Sequence, residues 1–361
     1  MSGLFAVLGA TGTQGSSVIR YHVVFIRQAL RDQGIEVVQA DVDDEQSLAI
    51  AFKVSKATLP WGYILQLELI ASPNKVCHHH LRRHRLLEPW AKYFSTGHAD
   101  PWKAALDDEV RRGKNIISAA ERTLDTLKHF IFSSLPSPEA VSSGKFANMP
   151  HYDGKVQLAQ QIHASASQAS GQKTLGDITT EIWATYYMEN FIRFELNAYL
   201  RPRKVNAAVL ESHHFQSLQT SSSDSPHYIL STPQLPSTQL ALLASEADFG
   251  AFVAPLISRK PSPKTPVLAV SQRLTFPEIC AVLSKQIGVE IKYQQAADRD
   301  YEAKYGSFGV EFERMYHFYD EFGYCGDTPT VGLDELNIKT VSLTPFKDFV
   351  AKQKWDGFLV E

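Results

Sequence analysis

Three cysteines in 361 residues, Cys77, Cys280 and Cys325, are too few and too irregularly spaced for a disulfide framework or a zinc site. That scarcity fits a reducing compartment. No run reaches the length of a membrane span. The N-terminus also lacks the basic region and long apolar core of an export signal. The expected location is the cytoplasm, with the nucleus also open. An excess of one charge is missing too: 36 Lys+Arg stand against 39 Asp+Glu, for a formal net charge of -3. That balance argues against direct nucleic-acid binding. At 44% hydrophobic residues the chain is not of the disordered class. Its length suffices for one large α/β domain, or for a large and a small one.

What is present begins at the N-terminus. Leu4 to Gly15 reads LFAVLGATGTQG, an apolar run ending in glycines at 9, 12 and 15. A buried strand, a Gly-rich turn and a helix start produce this pattern. The glycines let backbone approach a pyrophosphate, and the helix offers unpaired N–H groups to it. An ordinary structural turn is the alternative reading.

Downstream, two readings compete. Ser16 to Gln33 reads as one long helix followed by a strand at Ile35–Ala40, with Asp41 at its carboxyl end. Alternatively the helix stops near Tyr21 and His22–Arg27 is the second strand. That places Arg27 where a ribose 2′-phosphate is read, but leaves a short crossover. Asp43 to Lys53 reads as a helix capped by Asp43 or Asp44. Leu59 to Ala71 has the composition to hold a strand. The basic stretch around His78-His79-His80 reads as a solvated insert. Adjacent histidines do not share a helix face, and no metal is expected.

Asp107–Thr123 is an amphipathic helix, and Leu127–Phe132 is a strand ending in Ser133-Ser134, where α/β folds bind ligands. His151–Ile162 is the next helix, with Lys155 one turn in. Its ammonium would reach a nicotinamide ribose or a carbonyl oxygen, or else remain solvated. Thr179–Tyr187 carries a strand pattern running into Met188-Glu189-Asn190-Phe191. Ala244–Ile257 and the stretch from Thr275 to Gln286 read as helices, and Val267–Val270 and Val289–Tyr293 as strands. Leu343–Gln353 is the last helix, with Thr344 as its cap.

GATGTQGSSVIR at 9–20, IEVVQADVDDEQSL at 35–48, RRGKNIISAA at 111–120, KHFIFSSLPS at 128–137, PHYDGK at 150–155, YYMENF at 186–191 and LTFPEI at 274–279 occur in this order. On these motifs, which span nearly the whole chain, the protein resembles the NmrA-like family of atypical short-chain dehydrogenase/reductase relatives, of the fungal oxidoreductase type. The resemblance implies a Rossmann-like parallel sheet with helices on both faces and a smaller, mostly C-terminal substrate lobe. Residues 1–190 would form the dinucleotide-binding domain, with an atypical insert at 54–87. Residues 191–361 would form the lobe, some segments returning to the main sheet.

The resemblance also implies NADP(H), or NAD(H), as cofactor. Gly9, Thr11, Gly12, Thr13, Gln14 and Gly15 would surround the pyrophosphate, with Ser133 at the neighbouring strand end. Arg27 would read the 2′-phosphate and Lys155 would contact the nicotinamide-side ribose. Tyr187, Met188, Glu189 and Asn190 would line the nicotinamide pocket. The family's third strand matches Ile35–Asp44, which favours the split reading of 16–34. Short-chain dehydrogenases use Tyr-x-x-x-Lys, but His151 holds the tyrosine position, and Tyr152 is one residue late and about 100° away on a helix. His151 and Lys155 are therefore the candidate proton donors. The leading expectation is an NADPH-dependent reductase of a small organic carbonyl or enone in secondary metabolism. Tyr301, Phe308, Phe312, Tyr316, Phe318 and Phe322 would line its apolar pocket. The rival expectation is a non-catalytic NADP(H) sensor that binds a regulatory protein, and a third is a paralogue without cofactor.

Overall fold

The computed structural model describes residues 4–8, 14, 17, 18, 43–50, 62–66, 93, 94, 97–164, 172–192, 200–205, 227–257, 262 and 265–360. The architecture rests on a parallel five-stranded sheet in the order β1 (Leu4–Leu8), β2 (Gly62–Gln66), β3 (Leu127–Ser134), β4 (Thr179–Ala184) and, called β9 in chain order, Val267–Ala269. A parallel sheet needs cover on both faces, so its strands read as continuous apolar runs. β3 shows this directly. Phe130 and Phe132 point into one cluster, and Ile131 points into another on the opposite face.

The first cluster is built by α1 (Pro101–Glu121) and α2 (Pro150–Ala164), which supply Ile116, Ile117, Leu158 and Ile162. The second is built by α3 (Ser245–Ile257), through Phe249, Phe252 and Leu256. Val18 belongs to that second cluster, and Ser17 Oγ accepts from Gly250 N at 3.0 Å. The helical residues Ser17 and Val18 are therefore seated on α3.

β2 falls within Leu59–Ala71, the stretch whose composition suits a strand, and so inside the expected atypical insert 54–87. Paired between β1 and β3, it supplies a strand of the main sheet. Only backbone register decides this, since five residues with a strand composition do not announce their partners. The competing readings of 16–34 lie outside the described residues.

Two three-stranded sheets complete the fold. β5 (Tyr186–Tyr187) pairs in parallel with β8 (Gln239–Leu243), which pairs antiparallel with β10 (Gln272–Thr275). β7 (His227–Thr232) lies between β6 (Arg203–Val205) and β11 (Ile291–Gln295). The chain passes from the main sheet to the second at Thr185, whose Oγ1 donates to Ala269 O at 2.8 Å. α4 (Phe276–Ile287) starts at a capping box between Thr275 and Glu278 and stops at left-handed Gly288. α5 (Asp298–Tyr305) and α6 (Ser307–Phe322) follow, and α7 (Phe346–Ala351) ends the helices. Thr344 does not cap α7, whose N-cap position is Pro345; the Thr344 amide and hydroxyl both donate to Asp248, at 2.8 Å each. A buried carboxylate outcompetes a local cap because it binds both donors at once. Asp44, rather than Asp43, caps the helical residues 45–50 by accepting from Gln46 N and Ser47 N. Asp43 turns instead to Arg111 and Arg112.

α1 and α2 cross at two glycines. A Cβ on Gly113 would sit 2.2 Å from Leu158 Cδ1 and 2.9 Å from its Cγ, and Leu158 is fully buried. Gly113→Ala is expected to cost about 2 kcal/mol through overpacking, despite alanine's better helix propensity. Urea unfolding checks it. A stabilised variant would show that the helices have room to separate.

Candidate functional site

In a parallel sheet all strands end on one edge, and α/β folds bind ligands there. The glycine run begins directly after the carboxyl end of β1. Ser133 and Ser134 end β3, and the Tyr186–Asn190 segment follows β4 through Thr185. The structure joins two of these elements by a direct bond. Gln14 Nε2 donates to Tyr187 Oη at 2.5 Å. Gln14 is almost completely buried, yet its Oε1 has no partner among the described residues. A buried amide oxygen without a donor is costly. Ser133 is buried at the end of its strand, and Ser134 Oγ donates to Leu135 O at 3.4 Å. Gly9, Thr11, Gly12, Thr13, Gly15 and Arg27 lie outside the described residues.

The rest of the Tyr187–Asn190 segment is divided. Met188 is fully buried within the large apolar cluster. Glu189 is buried too, and its carboxylate accepts from Ser245 N at 3.2 Å, Ser245 Oγ at 3.1 Å and Glu246 N at 2.8 Å. It therefore satisfies the first free N–H groups of α3 and faces the positive end of that helix dipole. Asn190 hydrogen-bonds Tyr186, whose phenol burial pushes up to about 12.

Lys155 and His151 both point at carboxylates. Lys155 Nζ donates to Glu109 Oε1 of α1 at 2.6 Å, with the lysine side chain 15% and the glutamate 6% exposed. Gly154 makes room for this pair: a Cβ there would lie 2.5 Å from Glu109 Oε2. His151 Nδ1 bonds Glu311 Oε1 of α6, and its Nε2 is buried with no partner among the described residues. Tyr152, the neighbouring phenol, bonds the Tyr319 hydroxyl at 2.7 Å inside the core. Burial first, and then the nearby Tyr324 and Glu311, drive its pKa well above that of a free tyrosine. A phenol so placed is a poor proton donor.

Of the aromatics expected to line a pocket, Tyr301, Tyr316 and Phe318 are core residues, while Phe312 and Phe322 are partly buried against that core. Phe308 packs between Phe94 and Trp102, at centroid distances of 4.2 and 4.9 Å. Sequence reasoning did not find Glu109 and Glu311. Each shares an otherwise ordinary helix with at least one other glutamate, and only the packing of α1 and α6 against α2 reveals its partner. A weak signal existed for Glu109, which shares α1's inward stripe with Gly113 and Ile116.

Comparison with known proteins places this geometry in context. Residues 92–350 match the model of the NmrA-like family. A NmrA-like family domain-containing protein of Dictyostelium discoideum is 26% identical over 359 residues, covering 98% of each chain. Among solved structures, the chain is similar to Nmra, a negative transcriptional regulator in complex with NAD. That match has a TM-score of 0.55 at 16% identity, over 97% of this chain and 95% of that one. It is also similar to the Citrobacter sp. triphenylmethane reductase complexed with NADP(H), with a TM-score of 0.56 at 17% identity, over 97% of this chain and 99% of that one. Regulators and reductases thus both share the fold. Among the described residues no helix is long and apolar enough to cross a membrane.

Proposed function

The chain belongs to the NmrA-like family, and we propose that within it this protein is a non-catalytic NAD(P)(H)-binding redox sensor that acts on a regulatory protein. One observation carries this reading. Both positions of the Tyr-x-x-x-Lys pattern, His151 and Lys155, are tied to buried carboxylates, Glu311 and Glu109. An ammonium paired with a carboxylate inside a helix interface is held away from a ribose hydroxyl, and withdrawing it leaves Glu109 buried and uncompensated. The solved transcriptional regulator in complex with NAD supports the same choice.

The pyrophosphate end of the site suits a dinucleotide. Gly9, Thr11, Gly12, Thr13, Gln14 and Gly15 would surround it, and Gln14 Oε1, without a partner among the described residues, would find a donor there. Tyr187, held by Gln14, would border the nicotinamide side, and Ser133 would stand beside it. Arg27 remains the proposed reader of a 2′-phosphate, favouring NADP(H) over NAD(H). A bound nicotinamide supplies an oxidised and a reduced state, and these are what a sensor distinguishes. Residues 1–190 with β9 would form the binding unit, and the surface of 191–361 would meet the partner. A fungal origin and a cytoplasmic or nuclear location fit this proposal.

A reductase of a small organic substrate is the second reading. It is favoured by His151 Nε2, which has no partner among the described residues and retains a site for a proton, and by the likeness to the triphenylmethane reductase. Fluorescence titration with NADPH, NADP⁺, NADH and NAD⁺, followed by NADPH consumption with aldehydes, enones and quinones, separates the readings. The sensor is expected to bind at least one form saturably and to oxidise NADPH no faster with substrates than without. Substrate-dependent oxidation that disappears in Lys155→Met would establish the reductase. Failure of all four forms to bind at millimolar concentration would defeat both.

A further inference from the structure

α5 and α6 meet at a bend around Gly306, and they are packed unusually close. A Cβ on Gly309 would stand 2.8 Å from Tyr301 O and 2.9 Å from Glu302 Cα. This approach fixes the start of α5 against one face of α6. Asp298 sits at that start, and Glu313 and His317 lie one turn apart on α6. Their ligand atoms all fall within 4.8 Å of one another. His317 Nε2 is 3.0 Å from Asp298 Oδ1 and 3.0 Å from Glu313 Oε1.

A single ring nitrogen carries at most one proton, so it cannot give both carboxylates a well-aligned hydrogen bond. The other ring nitrogen faces a third carboxylate, with Nδ1 3.8 Å from Asp320 Oδ2. The Asp320 side chain is only 6% exposed and is fixed by the Leu235 amide at 3.1 Å and the Thr238 hydroxyl at 2.6 Å. Glu302 adds negative charge within reach of Glu313, while Arg314 opposes it from the same helix. The Arg314 guanidinium is turned to Ala147 O. Three carboxylates thus face one imidazole, with Glu302 and Arg314 close to Glu313, and the carboxylates outnumber the cations even with the imidazole protonated.

We propose that Asp298, Glu313 and His317 bind a divalent transition-metal ion of the zinc type. The donor set is one imidazole nitrogen and two carboxylate oxygens, which suits zinc and its neighbours rather than calcium or magnesium. Tetrahedral ligands at zinc distances stand roughly 3.4 Å apart, so the two 3.0 Å contacts need to open by only a few tenths of an ångström. Asp298, the exposed member, can supply that movement. Asp320 on Nδ1 would orient the imidazole from behind, as carboxylates do for metal-bound histidines. A fourth position is left for water. The ion would clamp α5 to α6. The three ligands are spread over twenty residues and join only through the Gly306 bend, which is why the sequence reading expected no metal.

The test uses the full chain with His78, His79 and His80 replaced by alanine, so that the histidine tract does not compete. Calorimetric titration of the chelator-treated protein with zinc chloride is expected to show one equivalent bound, confirmed by native mass spectrometry. His317→Gln should abolish that site. Asp298→Asn, at an exposed position that does not threaten the fold, should weaken it by at least about tenfold, the least that loss of even an outer-shell partner costs. Absence of saturable zinc uptake by the parent overturns the proposal. So does one equivalent held with unchanged affinity by either variant.

Discussion

Glu189→Ala is expected to lower the stability of the folded protein by about 3–4 kcal/mol, read as an earlier urea midpoint. The carboxylate accepts three hydrogen bonds at the buried start of α3, from Ser245 N, Ser245 Oγ and Glu246 N. Bonds to a charged acceptor are worth roughly 1.5–3 kcal/mol each, and they are not additive. Removing the acid strands two amide donors and withdraws a negative charge from the helix dipole. Glu189→Gln keeps one acceptor oxygen and should lose about half as much. The motif resemblance assigns Glu189 to the nicotinamide pocket, and that assignment makes the opposite demand. Under it, alanine would weaken dinucleotide binding strongly and leave the urea midpoint in place. An unmoved midpoint would remove the capping role. α3 also holds Ser17, two residues past the glycine run, through the Gly250 amide. The cap therefore supports the dinucleotide site at one remove.

Acidification below pH 6.5 is expected to destabilise the protein by up to roughly 3 kcal/mol through His129 alone. His129 is buried in β3, with Nε2 2.8 Å from Thr180 Oγ1, and burial lowers its pKa from 6.5 to about 4. The folded state therefore resists protonation while the unfolded state accepts it. The contribution is complete above about pH 6.5, shrinks as the unfolded imidazole charges, and is gone once pH falls through about 4. The size follows from about 1.4 kcal/mol per tenfold change in proton affinity. Urea midpoints at pH 7, 5.5 and 4.5 measure the slope. His129→Gln preserves a bond to Thr180 and removes the titration, so its midpoints should fall less steeply between those values. An unchanged slope would assign the acid sensitivity to other groups.

The elements the sequence placed well are those whose signals are local. The capping box at Thr275 and Glu278, the left-handed Gly288 and the Pro277 near the start of α4 each act within one helical turn. The run from Leu127 to Phe132 is apolar throughout because β3 is covered on both faces. Thr344 shows where this fails. It has the chemistry of a cap two residues before a helix, but its donors go to Asp248, 96 residues away. β2 is an intermediate case: a strand within Leu59–Ala71 is legible from composition, but its place between β1 and β3 depends on hydrogen bonds to strands on both sides. The candidate site was legible at the level of residue type and not of state. The sequence picked out Lys155, His151 and Gln14, and it could not show that Glu109, Glu311 and Tyr187 would bind them.

The sequence by itself carried the family through the motifs it shares with NmrA-like proteins, and local chemistry carried the α/β class, the opening strand pattern and the histidine that stands where a tyrosine is usual. These depend on residue order, periodicity and caps, which act over a few residues. The tertiary structure decided which charges are spent. Lys155 on Glu109, His151 on Glu311 and Glu189 on α3 are pairings between elements far apart in the chain. A buried charge takes the partner that packing brings within 3 Å, because leaving it unpaired in a low-dielectric interior costs more than any distant attraction returns.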